Sequence, residues 1–182
     1  MIYQETFDKI AELNKDTYED CVFINCDFSN QYLNGFVFEN CEFQNCNLAN
    51  VNFQGTSFQN VTFVECKLLG VHFHKANPFS FEVHFQNTQL DFSSFYQCNL
   101  KQTSFDACSL NQVDFTESNL TGVNFNACNL LNAVFFQTNL EKTNFTSAIN
   151  YSIHPNENRL KKAVFSEDGL KGLLTFFDIV IK

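Results

Sequence analysis

The large apolar residues of this chain recur with a period of five, which is neither the 3.6-residue period of an α-helix nor the two-residue period of a strand. Every fifth residue from Phe23 to Phe73 is Phe or Leu, and so is every fifth residue from Phe85 to Phe145. Tyr18 extends the first series by one step. We call this the central position of a five-residue unit, and it predicts an internal repeat over residues 18–148.

A second rule holds two residues before the central position. All 14 such residues from Val83 to Ala148 are Val, Thr, Ser, Cys or Ala, as are 9 of the 11 from Cys21 to Val71. Two inward positions separated by two residues are typical of a strand. The other three positions are rich in Asn, Gln, Asp, Ser and Gly, which favour turns. Each unit therefore predicts a short extended piece and a bend, and many such units predict a solenoid with one shared core.

The order of residue types indicates four units per coil. From Phe85 onward Phe and Leu alternate at the central position, which allows two or four units per coil. Cysteines recur at steps of 20, as in Cys26, Cys46 and Cys66, and this favours four. With coils about 4.8 Å apart, about 6.5 coils make a rod of about 31 Å. The predicted core columns include Phe105, Phe115, Phe125, Phe135, Cys108 and Cys128.

The repeat is interrupted once and flanked at both ends. Between Phe73 and Phe85 the spacing of the units gains two extra residues, and Pro78 stands where the first register needs a core residue. Because proline marks bulges and loops in strand structure, residues 74–84 are predicted to form a bulge or small loop between two stacked segments. It is either a tolerated insertion or a local functional feature. Residues 1–17 are expected to cap the N-terminal end.

Residues 149–182 are expected to form a linker, a helix and a strand that cap the last coil. Ser166 suits a helix N-cap, and an apolar stripe follows at i, i+3, i+4 and i+7. The sequence "DIVI" at 178–181 is typical of a short strand. The stripe is a candidate cap and also a candidate contact between two chains; it consists of Leu170, Leu173, Leu174 and Phe177.

Candidate chemistry is sparse. All eight cysteines occupy the small inward position, so they are predicted to be core thiols rather than disulfides or zinc ligands. His72, His74 and His84 lie at the break and could gather around a metal, but surface histidines are the favoured interpretation and no metal is predicted. Without a nucleophile elbow, P-loop or Rossmann glycine pattern, we expect neither an enzyme nor a cofactor.

The charge is acidic. The net charge is −9, and residues 18–150 carry 12 acidic and 4 basic side chains. That balance disfavours direct nucleic-acid binding, which relies on Lys and Arg. The N-terminus has no basic, apolar signal-like segment, and no run approaches 18 apolar residues. A cytoplasmic protein without a membrane contact is therefore expected.

The units "CNLLN", "SNLTG" and "TNLEK" are close to A(D/N)LXX, the consensus of the pentapeptide-repeat family. Over about residues 18–148 the chain resembles that family. The resemblance implies an all-β fold, a right-handed quadrilateral β-helix with four pentapeptides per coil, followed here by a short C-terminal capping helix and strand.

Within that family, two stacked segments with a C-terminal helix and strand resemble the quinolone-resistance and microcin-immunity group (Qnr, MfpA and McbG). Pro155, Asn158 and Arg159 are similar to the end of the microcin-immunity protein. The resemblance implies an acidic, DNA-shaped rod that dimerises through its C-terminal helix, binds DNA gyrase or topoisomerase IV and protects against quinolone-type poisons. The candidate acidic partner surface consists of Asp91, Asp106, Asp114, Glu117 and Glu141.

Two observations limit that interpretation. A DNA duplex of the same length would carry roughly 18 charges, against 12 acidic side chains spread over four faces here. The long projecting loops of the Qnr branch are also missing, since the break adds only two residues. The alternative is a protein-interaction scaffold with an unrelated partner.

Overall fold

Short parallel strands wind into a right-handed quadrilateral β-helix. The five-residue period predicts the solenoid, and the family resemblance implies its handedness and its four-sided shape. This computed structural model describes residues 1–79, 81–177 and 179–180. One sheet has the order β1-β3-β5-β7 and the other β11-β10-β9-β8-β6-β4-β2. The strands are β1 (Ile2–Tyr3), β2 (Thr6–Asp8), β3 (Thr17–Glu19), β4 (Val22–Ile24), β5 (Val37–Glu39), β6 (Glu42–Gln44), β7 (Ser57–Gln59), β8 (Val61–Val64), β9 (Val83–Gln86), β10 (Ser104–Asp106) and β11 (Phe125–Asn126).

Successive coils stack in register, and each coil is four pentapeptides long. Phe43 pairs with Phe63 and Phe105 with Phe125. Across the break the step is longer by two, because Val61 pairs with Val83. Elsewhere each residue therefore lies over the residue 20 positions away in the neighbouring coil. At the inward positions the two are often of the same type.

Columns of stacked aromatic rings fill much of the core, and two of them run through most of the coils. One column stacks Phe rings with centroid separations of 4.5 to 5.5 Å. A second column, which includes Phe95, Phe115 and Phe135, meets the first edge to face. Offset stacking and edge-to-face contact are the two favoured arrangements of aromatic rings, and this explains the selection of Phe. The first column consists of Phe7, Phe23, Phe43, Phe63, Phe85, Phe105, Phe125, Phe145 and Phe165.

The turns between successive pentapeptides account for the many asparagines. Two residues after most central positions the backbone takes a positive φ, for example 55° at Asn25 and 51° at Asn45. Asn and Gly adopt this left-handed conformation most readily. The amides also bond from coil to coil, since Asn45 Nδ2 donates to Asn25 Oδ1 at 2.7 Å. One residue type therefore turns the chain and links neighbouring coils.

The break is a local change of path on one face. A 3₁₀ helix spans Phe73–Lys75. Pro78 is exposed, whereas Phe81 is buried against Phe58 and Phe73. Phe81 thus fills the core position that Pro78 cannot, and β9 resumes the ladder at Val83. Phe79, between them, is 79% exposed.

The stacked coils extend beyond the boundaries expected from the sequence. Ile149 bridges to Asn129 and Val164 to Asn144, so residues 149–165, expected to be a linker, continue the solenoid. Phe165 stacks on Phe145 at 5.2 Å. The sequence hides this coil because Tyr151 and Ile153 fill the core outside the five-residue spacing. At the other end, β1 and β2 pair with β3 and β4 and form a first partial coil.

The C-terminal helix is a 3₁₀ helix, Asp168–Leu173. Ser166 Oγ accepts a hydrogen bond from Gly169 N at 3.1 Å, close to the expected cap. Residues i and i+3 eclipse in a 3₁₀ helix, and here Gly169 and Gly172 both face Tyr151, where a Cβ would lie 2.0 and 2.5 Å from its atoms. Glycine is therefore required for this close contact. In the expected strand at 178–181, Asp178 and Ile181 lie outside the described residues, and Ile179 and Val180 are not in a strand.

We expect Phe115→Ala to lower the free energy of unfolding by about 3–5 kcal/mol, because it opens a cavity between two stacked rings. Phe115 is fully buried and stacks on Phe95 and Phe135. The matched control is Phe136→Ala, which removes a side chain that is 41% exposed and should cost less than about 1 kcal/mol. Urea denaturation of both variants measures the difference, and similar losses would contradict the assignment.

Candidate functional surfaces

The cysteines form buried columns tied to the backbone. Seven of the eight thiols donate to the carbonyl oxygen two residues earlier. Cys46 Sγ also donates to the carbonyl of Phe23 on the neighbouring coil, at 3.3 Å. All eight are free thiols, and Cys98 alone is partly exposed. These thiols fill the core, and their hydrogen bonds explain why Cys and Thr interchange there.

The surroundings of several of these thiols raise their pKa. Burial raises the pKa of Cys41 to about 12, from an ordinary value of 9.0. A hydrogen bond with Cys66, together with burial, raises the pKa of Cys46, and a hydrogen bond with Cys128, together with burial, does the same for Cys108. Thiolates are the reactive form, so the thiols with a raised pKa are expected to be inert. The hydrogen bond with Cys108 instead lowers the pKa of Cys128.

The raised pKa values predict a loss of stability in alkali. Cys41 has a higher pKa folded than unfolded, so its contribution is complete below pH 9 and is lost between pH 9 and about 12. At pH 10.5 the loss is about 2 kcal/mol for this thiol. Cys41→Val, which copies Val61 at the equivalent position one coil on, should lose about that much less between pH 8 and 10.5 than the parent. Equal losses in urea melts at the two pH values would contradict this.

The three histidines at the break do not converge. The rings of His72 and His74 lie 5.3 Å apart, but His84 points elsewhere, with its Nδ1 2.9 Å from Ser104 Oγ and its Nε2 3.6 Å from Glu82. Burial, and then the neighbouring Lys75 and His74, lower the pKa of His72. No group of three or more His, Cys, Asp or Glu side chains suited to a metal occurs in the described part of the chain.

The five predicted acidic residues are not brought together on one surface. Four of them accept hydrogen bonds that link adjacent coils: Asp91 from Ser109 and Asn111, Asp106 from Asn126, Asp114 from Ser94, and Glu117 from Gln97. Glu141 lies on yet another face, two residues after Asn139 in its ladder. Linking coils is therefore the evident role of these carboxylates.

The net negative charge is instead concentrated in the N-terminal third. Residues 1–65 contain ten acidic and two basic side chains, net −8, whereas residues 66–182 contain ten and nine, net −1. Glu19 and Glu39 lie directly opposite each other in the β3–β5 pair. Neither these two nor Glu65 makes an ion pair or a side-chain hydrogen bond with another described residue. Like charges opposite each other in a sheet are destabilising, so folding does not explain this arrangement.

The acidic side chains also affect Tyr3, which is paired with Glu19 in that ladder. Burial and then the negative charges of Asp20 and Glu19 raise the pKa of the Tyr3 phenol. We call the residues Glu19, Asp20, Glu39 and Glu42 the acidic corner, because they flank the turn between the two sheets. The net charge of the whole chain does not identify this corner. Comparing the net charge of residues 1–65 with that of residues 66–182 does.

The C-terminal stripe is mostly solvent-facing. Leu170, Leu174 and Phe177 are 46%, 36% and 50% exposed, whereas Leu173 packs against the core. The α-helical spacing that joined them does not apply to a 3₁₀ helix. A cleft of about 1010 Å³ lies between this helix and the last coils, lined by Leu131, Ile149, Tyr151, Leu174 and Ile179 among others. This end of the rod therefore exposes a large apolar surface.

Sequence comparison identifies the repeat. The profile of the pentapeptide repeat region matches residues 17–95 and 88–165, most of the chain. The chain belongs to the pentapeptide-repeat family. No curated protein matches the sequence itself.

Solved pentapeptide-repeat structures share the fold over the whole rod. A trypsin-treated variant of QnrB1, a plasmid-mediated fluoroquinolone resistance protein, superposes with a TM-score of 0.63 at 14% identity, covering 100% of both chains. HetL of the cyanobacterium Nostoc, involved in heterocyst differentiation regulation, gives 0.52 at 14% identity over 91% of this chain and 86% of its own. At these identities the likeness concerns the fold. Among the described residues of this pentapeptide-repeat protein, no helix is long and apolar enough to cross a membrane.

Proposed function

We propose that this pentapeptide-repeat protein is a non-enzymatic binding protein whose acidic corner binds the DNA-binding surface of DNA gyrase or topoisomerase IV and so protects the enzyme from quinolone-type poisons. The observation that carries the proposal is the pair Glu19 and Glu39, which lie opposite each other without a counter-charge among the described residues. A rigid ladder holds these charges at a spacing of about 4.8 Å. A basic partner surface is the ligand that such an arrangement favours.

Two further observations support a topoisomerase. The chain shares its fold with a fluoroquinolone resistance protein over the full length of both, and its C-terminal sequence resembles the microcin-immunity protein. Because no arm projects from the rod within the described residues, the contact would have to be made by the surface of the rod itself. The acidic corner, rather than Asp91, Asp106 and their neighbours, is then the contact surface, because the latter are already engaged between coils.

A supercoiling assay with purified gyrase tests the proposal. The protein is expected to inhibit supercoiling at micromolar concentration and to reduce fluoroquinolone-induced DNA cleavage. The double variant Glu19→Lys, Glu39→Lys should weaken both effects about tenfold or more, because it reverses charges at the contact. Raising the salt concentration should weaken the parent protein in the same direction.

The matched control is Glu117→Lys, Glu141→Lys, which makes the same change in net charge in the charge-balanced part of the rod. Glu141 stands at the same position of its unit as Glu19 and Glu39, two residues after Asn139 in the ladder. Equal losses in the two double variants would contradict a specific acidic corner. Absence of inhibition and of protection by the parent would reject the topoisomerase and favour a scaffold for another partner.

We further propose that two copies associate through the C-terminal end. Leu170, Phe176 and Phe177 are at least 46% exposed there, beside a cleft lined by both polar and apolar residues. Exposed apolar patches of this kind mark association surfaces. The occupant that fits is a second copy, since the face is continuous with the last coil and its unpaired edge.

Size-exclusion chromatography with light scattering checks this association. The parent should show twice the 21.0 kDa mass of the chain, and Leu170→Asp should restore the single-chain mass because it places a charge in an apolar contact. Val134→Asp, at a residue 47% exposed on the side of the rod, is the control and should leave the pair intact. Leu173→Asp is less informative, because Leu173 packs against the core. A single-chain mass for the parent would refute the proposal.

A further inference from the structure

A cavity of about 350 Å³ lies beneath the register break. Its walls are mainly ring systems and small apolar groups, with two amides at the mouth. Phe73, Phe81 and Ala76 form the buried floor, and Tyr96 and His74 stand at the opening with ring centroids 6.2 Å apart and planes at 88°. The size lies within the range of small-molecule sites. The lining residues are Phe73, His74, Ala76, Pro78, Phe81, Tyr96, Gln97, Cys98 and Asn99.

The cavity exists because the coil-to-coil ladder is interrupted here. On this face, Asn77 N donates to Thr56 O, Asn119 N to Cys98 O and Asn139 N to Ser118 O, each at 2.8 to 2.9 Å. The corresponding bond from Asn99 N to Ala76 O is absent in the described part of the chain. Ala76 and Asn77 still follow the preceding coil, and the two extra residues lie between Asn77 and Val83, where the ladder resumes. Among the described residues, Asn99 N and Ala76 O, which both line the cavity, therefore have no bond to each other.

Cys98 lies in the same gap and is unlike the other seven cysteines. Its thiol makes no hydrogen bond among the described residues, whereas the equivalent Cys108 donates to Phe85 O and Asp106 O. The matching acceptor for Cys98 on the preceding coil is the carbonyl of Phe73, but no hydrogen bond joins the two. Cys98 is also the one partly exposed cysteine. It therefore reports on access to the cavity.

The lining specifies the class of ligand. Among the described residues no carboxylate lines the cavity, although the chain as a whole is acidic, and the ionisable groups are those of His74, Tyr96 and Cys98. Rings on the floor and at the mouth favour a flat aromatic occupant over a bulky aliphatic one. An interrupted ladder offers hydrogen bonds to a molecule with both a donor and an acceptor. We propose that this cavity binds a neutral, planar heteroaromatic molecule of one or two rings, by stacking against Tyr96 and bonding to the exposed backbone groups.

Protection of Cys98 from alkylation tests the site, with benzimidazole as the probe. Benzimidazole is planar and neutral above pH 7 and carries one ring N–H and one acceptor nitrogen. Burial raises the pKa of Cys98 to about 12, so iodoacetamide labelling is run slowly at pH 9 and followed by peptide mass spectrometry. At twice its dissociation constant, the probe should slow labelling of Cys98 about threefold. Cyclohexanol, similar in size but not planar, should give no protection.

Matched variants locate the effect. Tyr96→Ala removes the ring at the mouth and should abolish protection. Phe136→Ala removes an exposed ring at the same position of a unit two coils away, outside the cavity, and should retain it. Saturation-transfer NMR with benzimidazole should follow the same order. Unchanged labelling of Cys98 with the probe, equal protection in Tyr96→Ala, or equal protection by cyclohexanol would each overturn the proposal, and none of them depends on gyrase.

Discussion

The structure depends on one constraint, the stacking of each residue on its equivalent in the next coil. A single five-residue unit buries too little apolar surface to compensate for the entropy lost when its backbone is ordered. Stacking allows the rings of Phe105 and Phe125 to pack 5.2 Å apart and the corner amides to bond from coil to coil. Extra residues must therefore be accommodated on one face without shifting the coils that follow. This happens at the break, where Phe81 fills the core position that Pro78 cannot.

This constraint separates the inside from the outside. Inward residues are selected for shape, and most of their thiols and some of their hydroxyls donate to backbone carbonyls, as Thr143 Oγ1 does to Leu120 O at 2.8 Å. Outward residues also interact with their neighbours in the column, so a carboxylate such as Asp91 has a structural role when an adjacent coil offers donors. Glu19 and Glu39 stand out because they are like charges on adjacent coils of one column, and neither makes an ion pair or a side-chain hydrogen bond with a described residue. Function in such a rod is expected where an outward side chain does not bond to, or match, its neighbour on the adjacent coil.

The sequence predicts the fold well for the same reason. A period of five, small residues two positions earlier and cysteines at steps of 20 each report on stacking, and they place Phe115 or Cys108 inside without further information. The ends were less predictable. The final coil uses Tyr151 and Ile153 in the core, and the capping helix follows a three-residue period set by Gly169 and Gly172 against Tyr151. The candidate surfaces were harder still, because a carboxylate's role depends on its neighbour one coil away.

Phe92 is a residue that does not match its neighbours on the adjacent coils. It occupies a corner with φ of 63°, in a column where Gly70 precedes it and Gln112 follows. A bulky side chain in the left-handed region costs about 1–2 kcal/mol relative to the right-handed one, and glycine avoids that cost. The ring is 58% exposed, so burial does not offset the strain. Exposed aromatic side chains are enriched at protein–protein interfaces, so Phe92 is a residue to test there. Phe92 lies at the corner that precedes Tyr96 in the same coil, so this exposed ring is close in sequence to the cavity.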